Sequence, residues 1–124
     1  MNRFLRWGSA LFYIALLTVF LVRPVPATFR PLFPHADKVE HFLAMGLLSV
    51  LLLRAMTDPR ADRPSTPAAI AACLIAISYG VGMEFAQAHV GRDFSVGDML
   101  ADAVGVLVLT PVWVMLRSRS VFFR

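Results

Sequence analysis

The chain reads as an all-α integral membrane bundle of four transmembrane helices with both termini in the cytoplasm, and three observations lead there. Its 124 residues are 58% hydrophobic and only 16% charged, against about a quarter charged in soluble domains. The charges gather in clusters separated by four apolar runs. Lys and Arg, moreover, are unequally shared between the loops that those runs would place on the two sides of a bilayer. One domain over 1–124 accommodates all four runs.

Each run is measured against the roughly 20 residues that a helix needs to cross hydrocarbon. The first covers 4–22, with Arg6 near its start positioned to snorkel. The second is charge-free only over 42–53 and reaches spanning length as 39–56, with Arg54 snorkelling at its end. The third, 64–83, has no charge and is interrupted only by small residues, including Gly80 and Gly82. The fourth, 98–116, carries Asp98 and Asp102 in its first two turns and Pro111 near its middle, where a kink is expected. Ala103 and Gly105 offer a neighbour close approach.

Orientation follows from the basic residues. With the N-terminus inside, Arg3, Arg6, Arg54, Arg60, Arg63, Arg117, Arg119 and Arg124 are cytoplasmic, and Arg23, Arg30, Lys38 and Arg92 are outside. The bias puts both termini inside. The net charge of +4 would suggest nucleic acid as a partner for a soluble protein. Here the arginines flank apolar runs, which points to lipid headgroups and away from nucleic acid. The lone Cys73 lies within an apolar run, so neither a disulfide framework nor a cysteine metal site is expected. Arg3 and Arg6 before an apolar stretch, with Val25-Pro26-Ala27 behind it, also fit a cleavable signal peptide. Three further apolar segments make a retained first helix the preferred reading, with the protein multi-pass in the cell membrane. The proline-rich stretch 23–37 should be extended at the outer face.

Three polar clusters fall on that outer side: Asp37, Lys38, Glu40 and His41 opening the second helix, Glu84 and Gln87 ending the third, and Arg92, Ser95, Asp98 and Asp102 opening the fourth. Glu84 and Gln87 are three apart, and Asp98, Asp102 and Gly105 follow at four and three, so each set is a stripe on one helix face. At about 1.5 Å per residue Asp102 lies roughly 6 Å deeper than Asp98. A charge turned to lipid costs on the order of 2.5–3.5 kcal/mol near mid-membrane. The stripes are therefore expected to face each other across a polar pocket in the outer leaflet, walled by helices two, three and four. Lys38 and Arg92 are expected to supply positive charge near the acids.

Simpler roles account for some of these residues. Asp37 with Glu40, and Ser95 with Asp98, match the spacing of capping boxes. His41 can serve as a hydrogen-bonding group between helices, while His35 and His89 read as loop residues. Capping does not explain Glu84 or Asp102, which lie inside apolar segments, where acids are usually functional. His41, Glu84, Asp98 and Asp102 are metal-ligand types. Neither HExxH, CxxC nor a paired-His spacing occurs, so no metal and no cofactor are expected from the sequence. No nucleophile signature or phosphate-binding glycine loop is present either.

The ordered series Asp37-Lys38-x-x-His41-Phe42, Tyr79, Glu84-x-x-Gln87, Arg92-x-x-Ser95-x-x-Asp98 and Gly105 resembles that of the VanZ-like family of small membrane proteins associated with teicoplanin resistance. The resemblance covers 37–105. The family commonly carries Ala-Asn before the final glycine motif, whereas this chain has Ala101-Asp102, an acid in place of a neutral amide. The resemblance implies a cell-envelope membrane protein, linked in some members to glycopeptide resistance, without supplying a mechanism.

Two functions follow as expectations. The first is recognition of a polar or lipid-linked envelope molecule in the outer-leaflet pocket, with membrane lipids as surrounding partners. The second is an intramembrane enzyme acting on a lipid or cell-wall precursor, with Glu84, Asp98 and His41 as acid and base or as metal ligands. Ion transport along the acids is disfavoured, because the cytoplasmic halves of helices three and four carry no charge.

Overall fold

A computed structural model describes residues 2–122 apart from Val25 and Ala27, with side chains described as far as Ser118. Two positions of the signal-peptide pattern, Val25 and Ala27, thus lie outside the described residues, as do Arg124 and the side chain of Arg119 from the charge count. The described residues form four helices, α1 Arg3–Val22, α2 Ala36–Met56, α3 Thr66–His89 and α4 Val96–Phe122. All four are long and apolar enough to span a membrane.

Local chemistry sets the helix ends. Asn2 caps α1 by accepting the Leu5 N–H at 2.9 Å, and Ser65 caps α3 by accepting that of Ala68 at 3.2 Å, with Pro67 in the first turn. The N-cap of α2 differs from expectation. His35 occupies it in the left-handed region (φ 61°) without a side-chain cap bond, and Asp37 sits within the first turn, where its charge favours the helix dipole. A capping box from Asp37 to Glu40 is therefore not formed, because the N-cap lies two residues earlier, at His35. Helix α3 runs past the apolar limit at 83 to His89, which is helical and exposed and bonds the Phe85 carbonyl at 2.8 Å. Pro111 lies inside α4 without ending it.

Long-range bonds define an up-and-down bundle. At the end carrying the termini, Arg6 of α1 donates to the carbonyls of Arg54 and Thr57, each at 3.2 Å. Arg117 of α4 donates to Ala61 in the α2–α3 loop at 2.7 Å. Arg6 is thus buried at the C-terminus of α2 instead of snorkelling, satisfying carbonyls that the helix leaves open. At the opposite end α1 closes, α2 opens, α3 closes and α4 opens.

Helices α2 and α4 approach most closely, and glycine permits it. A Cβ added at Gly105 would stand 2.0 Å from the Phe42 carbonyl oxygen, and one at Gly46 2.8 Å from the Gly105 oxygen. Midway along the same interface Ser49 and Thr110 share a hydroxyl bond of 2.7 Å, the kind of polar contact that joins helices in lipid. Burial is reversed from that of a soluble bundle. Leu11, Phe12, Leu16, Leu74, Leu100 and Leu107 are exposed, while His41, Glu84, Gln87 and Asp102 are buried. Such a surface suits hydrocarbon and encloses the polar groups, since lipid cannot hydrogen-bond to them.

Candidate functional site

The polar residues meet at the bundle end remote from the termini, each carried there by a helix end. Ser95 immediately precedes α4 and caps it, its Oγ accepting the Asp98 N–H at 3.1 Å. In a capping box the acid three residues on would return a bond to the Ser95 N–H. Here that N–H donates instead to Glu84 Oε1 at 2.5 Å. An acid from α3 takes the reciprocal place, and Asp98 is released for other contacts.

Asp98 uses that freedom toward α2. Its Oδ1 accepts from Lys38 Nζ, and its Oδ2 lies 3.4 Å from His41 Nε2. Lys38 also pairs with Asp37 at 2.9 Å and reaches the Ser95 hydroxyl at 3.4 Å. The other imidazole nitrogen, His41 Nδ1, lies 2.9 Å from Asp102 Oδ1 one turn deeper. Asp102 fits because Gly80 faces it: a Cβ there would come within 2.6 Å of Asp102 Oδ2. Glu84, at 0% exposure, and Asp102, at 2%, are among the most enclosed side chains of the protein.

Gln87 and Arg92 have a different setting. Both donate to the Leu21 carbonyl in the last turn of α1, Gln87 Nε2 at 3.0 Å and Arg92 Nη1 at 2.8 Å. The α3–α4 turn arranges this. Gly91 takes φ +80° immediately after the helix, and the Arg92 N–H bonds the Gln87 carbonyl at 3.0 Å, the pattern of a Schellman stop. The expectation that Arg92 supplies charge to the acids is not met by a direct pair: its guanidinium bonds the Leu21 carbonyl in the last turn of α1, and Lys38 supplies the ammonium that Asp98 meets. Gly105 allows the close approach expected of it, and the neighbour it admits is Phe42 of α2 and not the Glu84 stripe of α3.

A cavity of about 550 Å³ opens among these groups. Its lining includes the polar Asp37, His41, Gln87, Arg92, Ser95 and Asp98 and, from α1 and the residues after it, the apolar Leu17, Phe20, Leu21 and Pro24. The first helix therefore forms a wall that the motif spacing assigned to helices two to four alone. Nothing in its composition marks Leu17 or Leu21 as wall residues. The positive-φ turn at Gly91, in contrast, had a legible signal, a glycine directly after a long apolar helix.

One ligand atom each from His41, Glu84 and Asp98 lies within 4.8 Å of the others, and all three residues are buried. They come from α2, α3 and α4, so no local spacing in the chain announces the grouping. Two carboxylate oxygens in this region, Glu84 Oε2 and Asp102 Oδ2, are buried without a hydrogen-bond partner. No family model, curated protein or solved structure matches the chain. The likeness drawn from the motif series therefore rests on those residues themselves.

Proposed function

We propose that this is a VanZ-like protein of the cell membrane, with the cavity end outermost, and that the cavity recognises a polar or lipid-linked molecule of the envelope. One observation carries the reading: a cavity of about 550 Å³ is lined both by the buried ionisable groups His41 and Asp98 and by the apolar Leu17, Phe20 and Leu21. A ligand with a charged or hydroxylated head and an apolar tail matches both kinds of lining. Arg92, which lines the cavity, gives it a cation suited to an anionic head. The basic bias of the opposite end supports the orientation, and the shared motif order supports the family.

The link to glycopeptide susceptibility belongs to the same proposal. It is tested by deleting the gene and measuring envelope lipid composition and teicoplanin susceptibility, with complementation by the wild type and by Glu84→Gln and Arg92→Ala. The expected result is that the deletion alters one of the two readouts and that neither variant restores it although both accumulate in the membrane. Full complementation by both variants would rule out the pocket as the working part.

A second reading, intramembrane catalysis on a lipid or cell-wall precursor, draws on the contact of His41 with both Asp102 and Asp98. An imidazole oriented by one acid beside a second is an arrangement used for proton transfer. Turnover of a lipid-linked precursor by the purified protein, lost in His41→Asn, is the result that would favour it.

A further inference from the structure

The geometry points to a binding site for one divalent transition-metal cation, held by His41, Glu84 and Asp98 at the inner side of the cavity. The inference goes beyond ligand recognition and stands whether or not the cavity takes an envelope molecule.

Each of the three residues is held by one atom and leaves another available. Ser95 N–H binds Glu84 Oε1, and Glu84 Oε2 is buried with no partner. Lys38 binds Asp98 Oδ1, leaving Oδ2 beside His41. Asp102 Oδ1 lies 2.9 Å from His41 Nδ1, and a neutral imidazole that donates Nδ1–H to that acid carries its lone pair on Nε2. This last contact has the form of the carboxylate–histidine pair found behind metal-bound imidazoles, where the acid orients the ring and raises its basicity. A wholly buried carboxylate oxygen with nothing to accept from is costly in any medium and more so in lipid. A cation supplies its missing partner.

The spacing and the charge agree with that assignment. Ligand atoms about 2.1 Å from one tetrahedral ion stand about 3.4 Å apart; His41 Nε2 and Asp98 Oδ2 are already 3.4 Å apart, and one atom from each of His41, Glu84 and Asp98 lies within 4.8 Å of the others. Side-chain rotation that moves the Glu84 oxygen by at most about 1.4 Å closes the difference. Asp37, Glu84, Asp98 and Asp102 carry four formal negative charges against the single positive charge of Lys38, which pairs with both Asp37 and Asp98, with imidazole neutral. A dication offsets two of the three excess negative charges in a region that solvates charge poorly. One imidazole nitrogen with two carboxylates is a donor set suited to Zn²⁺ or Mn²⁺. His41 and Asp98 also line the cavity, so the remaining coordination positions face it, as in sites that bind an oxygen-bearing ligand.

The test uses the full-length protein in detergent, stripped with chelator, then dialysed against Zn²⁺ or Mn²⁺ and assayed for bound metal by mass spectrometry. One equivalent per chain is expected for at least one of the two ions. Glu84→Gln, which keeps an oxygen for the Ser95 N–H, and His41→Asn should each weaken binding at least tenfold while circular dichroism and size exclusion remain as in the wild type. His89→Ala, an exposed imidazole outside the cavity, should bind as the wild type does. Asp102→Asn should weaken binding less than His41→Asn, as expected of an orienting group. Absence of stoichiometric metal in monodisperse wild-type protein overturns the proposal, and so does unchanged binding in folded Glu84→Gln and His41→Asn. Neither result depends on the envelope phenotype, so failure of this site and failure of the recognition reading are told apart.

Discussion

Glu84 Oε1 accepts the backbone N–H of Ser95 at 2.5 Å, and through that one bond the interior of α3 completes the cap of α4. The Ser95 N–H is among the groups that a helix start cannot satisfy by itself. Glu84→Ala removes its acceptor and is expected to destabilise the bundle by about 1–3 kcal/mol. Glu84→Gln retains an oxygen and should cost less. Thermal unfolding of both variants in the same detergent, followed by circular dichroism, checks the order.

The approach of α2 and α4 makes Gly105 sensitive to a single methyl group. A Cβ there would meet the Phe42 carbonyl oxygen at 2.0 Å, with backbone on both sides and no flexible side chain to yield. Gly105→Ala is expected to lower stability by about 1–3 kcal/mol or more by forcing the helices apart. Gly82→Ala, where nothing lies within 4 Å, should be near neutral or slightly stabilising. Melting temperatures of the two variants provide the comparison.

Lys38 and Asp98 form the one Lys–acid pair among the described residues that joins two helices. Lys38 is about a third exposed, so solvent screens the pair and a coupling on the order of 1 kcal/mol is expected. Lys38→Met alone should be more harmful than Lys38→Met with Asp98→Asn, because the single change leaves a buried carboxylate without its cation. A double-mutant cycle on denaturation midpoints measures this, and strictly additive losses would show the pair to be energetically idle.

Orientation is testable by labelling. In a Cys73→Ser background, Lys38→Cys and Arg92→Cys should react with a membrane-impermeant maleimide added to intact cells, whereas Arg60→Cys should react only after permeabilisation. Labelling of 38 and 92 from opposite sides is incompatible with the arrangement described here, in which both lie at the bundle end remote from the termini.

Much of this architecture was legible along the chain. Four apolar runs near spanning length announce four helices, because hydrocarbon admits little else with a satisfied backbone. The acids at 84 and 102 announce an enclosed polar site, because lipid does not tolerate them on an outer face. Ser95 was readable as a cap from local spacing alone.

What the tertiary structure decided is partnership. Local spacing paired Ser95 with Asp98 and Asp37 with Glu40, whereas packing gave the Ser95 N–H to Glu84, Asp98 to Lys38 and His41, and both Gln87 and Arg92 to a carbonyl of α1. A sequence determines which residues must leave the lipid, since that cost belongs to each side chain separately. Which atom each one then meets depends on how closely helices distant in the chain approach, and here Gly46, Gly80 and Gly105 set that distance.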